Sequence, residues 1–134
     1  MSDFSADAET WLQWAEQSYA GAHLLFHNGN PILWFPAAFL GQQALEMFLK
    51  AALMKQDSRA AKADMRGHNL IDLASELAKT GFNFPAGFIE DLQTFNEFFE
   101  QLRFPNPARK VQELGPMEGV LLAYLVKILR PVIK

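Results

Sequence analysis

The stretch at residues 37–55, AAFLGQQALEMFLKAALMK, constrains this chain more than any other. Leu40, Ala44, Met47, Ala51 and Met54 recur at helical spacing, and Gly41, Leu45, Phe48 and Ala52 add a second apolar row beside them. A helix that is apolar along two rows has to be wrapped by other elements. Set among those residues are Gln42, Gln43, Glu46 and Lys50. Gln43, Glu46 and Lys50 share one row, with Glu46 and Lys50 in the favourable i,i+4 order. A polar row on a core helix is either a helix-internal ion pair or part of a functional site at the bundle end.

The periodicity on either side is helical throughout. Residues 8–28 place Trp11, Leu12, Ala15, Tyr19, Ala22 and Phe26 on one face, and Asn28-Gly29-Asn30-Pro31 supplies a glycine cap followed by a breaker. Residues 34–36 lead into the central helix. Residues 56–67 lack apolar periodicity and read as a basic loop. A third helix spans about 69–79, with Asn69 as N-cap, Asp72 near the positive dipole end, and Thr80-Gly81 as its stop. Pro85 fits the first turn of a fourth, striped by Phe88, Leu92, Phe95, Phe99 and Leu102 and ended by Pro105 and Pro107. A last helix begins near Pro116 and bends or terminates at Pro131. Its apolar residues from 120 to 129 cover nearly every face, so it either lies deep inside or turns one face to another subunit.

About five helices with mostly short connections predict an all-α, up-and-down helical bundle, and 134 residues form a single domain, 1–134, able to bury its own core. The aromatic content, twelve Phe among it, excludes a disordered chain. The absence of cysteine rules out disulfides, thiolate catalysis and Cys-ligated metal sites. The acidic opening MSDFSADAET lacks the layout of a signal peptide, and the longest apolar run, residues 119–126, is too short to cross a bilayer. A cytoplasmic protein with no membrane role is therefore expected.

The net charge of −3 conceals a blockwise pattern. Residues 1–49 carry five acids and no Lys or Arg; residues 50–66 carry five bases against two acids. Residues 67–101 hold one base against six acids, and residues 102–134 six bases against two. In a strictly alternating bundle the second and fourth helices end at one pole, where the third and fifth begin. The loop at 56–67 then lies beside residues 103–110, and two helix starts add free backbone N–H groups. Lys50, Arg59, Lys62, Arg66, His68, Arg103, Arg109 and Lys110 are the candidate anion- or nucleic-acid-binding residues, with Asp3, Asp7 and Glu9 partly offsetting them.

Gln42-Gln43-Ala44-x-Glu46-x-x-Leu49-Lys50-Ala51, then Gly67-His68-Asn69-Leu70 opening a helix, then Leu102-Arg103-Phe104-Pro105 closing one, resemble the HEPN domain in the expected order. The resemblance implies a helical bundle that commonly dimerises. It also implies a setting among toxin-antitoxin, nucleotidyltransferase-associated or other RNA-directed systems, with Gln43, Glu46 and Lys50 as family-motif polar residues. Ribonucleases of that family share an Arg followed, after four to six residues, by a His. Counted from Arg103, those places hold Ala108, Arg109 and Lys110, and no histidine follows His68. The Arg-Tyr-Pro-turn subset is the closer likeness, with Phe104 in the Tyr place and the hydroxyl lost.

Two functional readings result. The preferred one is a non-catalytic, homodimeric interaction module whose basic pole engages RNA, a nucleotide, or a protein partner of the nucleotidyltransferase type. The alternative is an atypical metal-independent, toxin-like ribonuclease in which Arg103 and His68 replace the missing pair. Each residue also has a plain role: Arg103 bonding the last carbonyls of the fourth helix, His68 closing a turn. His23 and His27, at i,i+4, share a face as a metal pair requires, yet two ligands are too few and no Glu-x-x-His or His-Glu-x-x-His accompanies them, so no metal or cofactor is expected. Ser18, Ser58 and Ser75 have no base partner nearby in sequence, and no phosphate-cradling glycine loop occurs.

Overall fold

The computed structural model describes residues 7–56, 69–101 and 116–133, the last four residues of the second span as backbone alone. Among the described residues every regular element is helical: α1 (Ala8–Asn28), a 3-10 turn (Pro31–Leu33), α2 (Trp34–Gln56), α3 (Leu70–Lys79), α4 (Phe88–Gln101) and α5 (Pro116–Ile133).

Local chemistry sets the ends of these helices. Asp7 caps α1 by accepting from the Thr10 N–H at 2.8 Å and the Thr10 hydroxyl at 2.9 Å. At the other end Gly29 takes a φ of 82°, the left-handed conformation that ends a helix. The central helix starts three residues earlier than the expected 37–55, because Pro36 falls within its first turn, where no amide N–H is required. The fourth helix differs in the opposite sense. Pro85 lies outside α4, in a turn whose carbonyl accepts the Phe88 N–H at 3.1 Å, and Gly87, at φ 85°, separates that turn from the helix. Pro131 is accommodated inside α5, in its last turn.

Helix α2 is the axis. Thirteen of its residues from Gly41 to Leu53 include only one, Gln43, that is not buried. The stretch Pro31–Gln56 has the length and mean hydropathy, 1.2, of a membrane-crossing helix. Here its apolar rows are covered by α1, α3, α4 and α5, so the same composition serves as the core of a bundle. Phe48, Phe88 and Phe95 are the largest of the fully buried side chains. Of the expected α4 stripe, Phe88, Leu92 and Phe95 are fully buried; the Phe99 side chain and Leu102 lie outside the described residues.

Contacts along the helices fix their directions. Trp11 lies beneath Lys50, Ser18 reaches Met47, and a methyl group on Gly21 would touch Leu40, so α1 and α2 are antiparallel. Gly119 packs on Phe26 while Arg130 bonds Glu16, so α5 is also antiparallel to α1 and runs in the sense of α2. Strict alternation required the reverse. The last helix therefore begins at the end of the bundle opposite to the Trp11–Lys50 contact, which corrects the expectation that its start joins the basic pole. Fourteen residues separate Gln101 from Pro116, a connection too long to impose strict alternation on α5. Parity holds only for short connections.

Candidate functional site

The polar row of α2 is buried and internally paired. Lys50 Nζ lies 2.9 Å from Glu46 Oε2, and Gln42 Nε2 makes a longer 3.5 Å contact with Glu46 Oε1. Gln42, Glu46 and Lys50 are successive i,i+4 positions, and that run selects Gln42 for the interior; Gln43, the residue expected to share the row, is only half-buried. The Lys50 ammonium also lies 5.5 Å from the centre of the Trp11 ring, on the facing helix. Glutamine donor, carboxylate, ammonium and indole thus form one chain across the α1–α2 contact. Trp11 was legible only as an apolar residue, since nothing in its spacing connects it with Lys50.

This arrangement changes what Lys50 can do. Its side chain is 3% exposed, so it offers no open surface to a phosphate and does not belong with the ligand-binding cations. A paired charge inside a core is costly to disrupt, because removing one member leaves the other buried; breaking such a pair costs about 3–5 kcal/mol. The Nε1–H groups of Trp11 and Trp34 are buried and meet no hydrogen-bond acceptor among the described residues.

The start of α3 is the described region closest in sequence to the expected basic pole. Asn69 caps it, its Oδ1 accepting from Ile71 at 2.9 Å and Asp72 at 3.0 Å. The Leu70 N–H donates to Asn96 Oδ1 of α4 at 2.6 Å, and the Leu73 N–H to the Asn69 carbonyl at 3.1 Å. The N–H groups of Leu70, Ile71 and Asp72, three of those a helix start leaves over, are thus satisfied within the protein. Three of the N–H groups expected to be open to an anion at α3 are therefore engaged, and the start of α5 lies at the end of the bundle away from the Trp11–Lys50 contact.

Arg59, Lys62, Arg66, His68, Arg103, Arg109 and Lys110 lie outside the described residues. The described residues beside them do meet: the Leu70–Asn96 bond joins the residue that opens α3 to one five positions before the end of α4. Asp7, at the start of α1, has its carboxyl held below the ordinary carboxylate range, first by the backbone N–H of Thr10 and then by the Thr10 hydroxyl.

A family model described as the HEPN domain matches residues 8–115, which takes in α1 to α4 and stops one residue short of α5. No curated protein and no solved structure matches the chain.

Proposed function

Because the chain belongs to the HEPN domain family, we propose that it works as a dimeric, non-catalytic binding module for a phosphate-bearing ligand, RNA or a nucleotide. One observation carries the reading. The places where the family's ribonucleases carry histidine hold Ala108, Arg109 and Lys110, so positive charge stands where a proton-transfer group would be needed. Arg59, Lys62, Arg66, Arg103, Arg109 and Lys110 supply the charge. Arg66 and Arg103 are the favoured forks, because a guanidinium presents parallel donors to two phosphate oxygens. The Leu70–Asn96 bond supports this grouping, since the chain enters α3 beside the later part of α4.

The dimer is proposed through the outward face of α5, where Met117, Val120 and Tyr124 are 73%, 63% and 42% exposed. The expected setting is cytoplasmic, in an RNA-directed or toxin-antitoxin system. A nucleotidyltransferase-type protein is the partner to seek if no nucleic acid binds.

Fluorescence anisotropy of a labelled single-stranded RNA across a salt series tests the reading. Intact RNA, affinity that falls steeply with salt, and weakening by Arg66→Ala or Arg103→Ala are expected. Absence of binding at low salt overturns the nucleic-acid reading in favour of a protein partner. Shortened RNA would instead indicate the Arg103–His68 ribonuclease, and His68→Ala would then have to stop the cleavage.

A further inference from the structure

At the end of the bundle away from Lys50, α1 and α5 enclose a cleft of about 250 Å³. Phe26, Gly119, Val120 and Ala123 line it, with His23 and His27 beside them. The cleft lies where α5 carries small residues: a methyl group on Gly119 would stand 2.9 Å from Cβ and Cγ of Phe26, so glycine is what lets the helices approach there. The volume falls below the roughly 300–1,000 Å³ of small-molecule pockets, and the lining is almost wholly apolar. Its size suits one long side chain. Val120 belongs both to the cleft and to the exposed apolar face of α5, so the two surfaces are continuous.

We infer that this cleft is a socket for a second copy of the chain, filled in the dimer by the partner's Met117. The inference rests on the dimer reading above and adds α1 to the docking surface. Met117 is the most exposed of the large apolar side chains on α5, at 73%, and stands one turn from Val120. Its unbranched, flexible thioether is the kind of side chain that fills an irregular gap. In an isologous pair each copy gives one Met117 and receives one, so the same contact is made twice.

Charge selects a copy of this chain as the occupant. Around a two-fold axis a surface meets itself, which brings every charge near the axis toward its own kind. Between residues 10 and 28 α1 holds one formal charge, Glu16, and Arg130 of α5 engages it at 2.9 and 3.1 Å. The remaining charges of α5 are Glu118 and Lys127, and neither lines the cleft. Residues 70–97, by contrast, carry five acids against one base, and two such faces would repel each other. Size agrees with charge. The 18 residues of α5 span roughly 27 Å, and with the adjoining turns of α1 they form a strip roughly 20 Å wide, enough to bury about 800 Å² per partner, the share of a standard interface.

Sedimentation equilibrium of the tag-free full chain tests the socket, with circular dichroism to confirm that each variant is helical. The parent should dimerise. Met117→Ala, which trims an exposed side chain, and Ala123→Leu, which fills the socket from within, should each raise the dimer Kd by about tenfold. Because both act on one contact, the double variant should be no weaker than the worse single one. Trp14→Ala removes a side chain that is 60% exposed and does not line the cleft, and should leave the Kd unchanged. A parent that stays monomeric up to about millimolar concentration overturns the dimer and the socket together. A parent that dimerises with a Kd indifferent to Met117→Ala, or with the two changes fully additive, overturns the socket and leaves the dimer standing.

Discussion

Two ion pairs in this protein have nearly the same parts and different surroundings. Inside, Glu46 and Lys50 meet at 2.9 Å with Trp11 5.5 Å from the ammonium. Outside, Glu16 and Arg130 meet at 2.9 Å with Tyr19 5.6 Å from the guanidinium. The inner side chains are 3% and 11% exposed, the outer ones 34% and 38%. Solvent therefore decides the energetic character of each. Water screens the outer pair and can replace either partner, whereas the inner charges have left water and depend on what the protein supplies. Glu16–Arg130 acts chiefly as a clasp that sets the register of α5 on α1; Glu46–Lys50 is an obligation built into the core.

The largest expected effect follows from the inner pair. Glu46→Ala should lower the unfolding free energy by about 3–5 kcal/mol, measured by urea denaturation, because Lys50 loses its carboxylate while still buried. Replacing both members by apolar residues, Glu46→Leu with Lys50→Met, should cost markedly less than the two single changes added together. Simple additivity would show that the two charges are not coupled and would break the comparison.

Gly119→Ala addresses the contact that the outer clasp holds in register. Crowding Phe26 should cost about 1–3 kcal/mol, reduced by about 1 kcal/mol from better helix propensity. A variant as stable as the parent would mean that α5 can shift on α1 without loss.

Smaller still, Glu16→Ala should change stability by no more than about 1 kcal/mol, and that difference should shrink in high salt. A loss as large as that of Glu46→Ala would mean that the outer pair is as desolvated as the inner one. The smallest effect concerns Asp7, a carboxylate paired with backbone N–H rather than with a cation. Its folded pKa is depressed, so its contribution is fully present above the unfolded value, near about 4, and is lost as pH falls through the lower folded value. Asp7→Ala should accordingly lower the melting temperature at neutral pH and leave it unchanged once the carboxyl is protonated in both states.

The helices were readable to within a few residues wherever a periodic apolar face met a cap. α1 runs over the expected 8–28, and Asn69 and Gly29 serve as the expected caps. Pro85 misled because a proline suits a helix start and a preceding turn equally well, and only the positive φ of Gly87 separates the two. The site was less legible. Glu46–Lys50 follows from spacing, yet whether the pair faces solvent or core does not, and the choice between Gln42 and Gln43 depended on which side α1 covers.

The amino-acid sequence by itself determined the all-α class, the caps, the central place of α2, the i,i+4 pairing of Glu46 with Lys50 and the absence of any histidine after His68. Each of these depends on residues within a few turns of one another, or on a residue type that is simply absent. Tertiary structure alone decided the direction of α5, the pairing of the Leu70 N–H at the start of α3 with Asn96, and the clasp between residues 114 positions apart. The physical reason is that helix formation is governed by short-range periodicity and capping. The sense in which a helix docks after a long connection is set by which faces fit, and no local spacing records that.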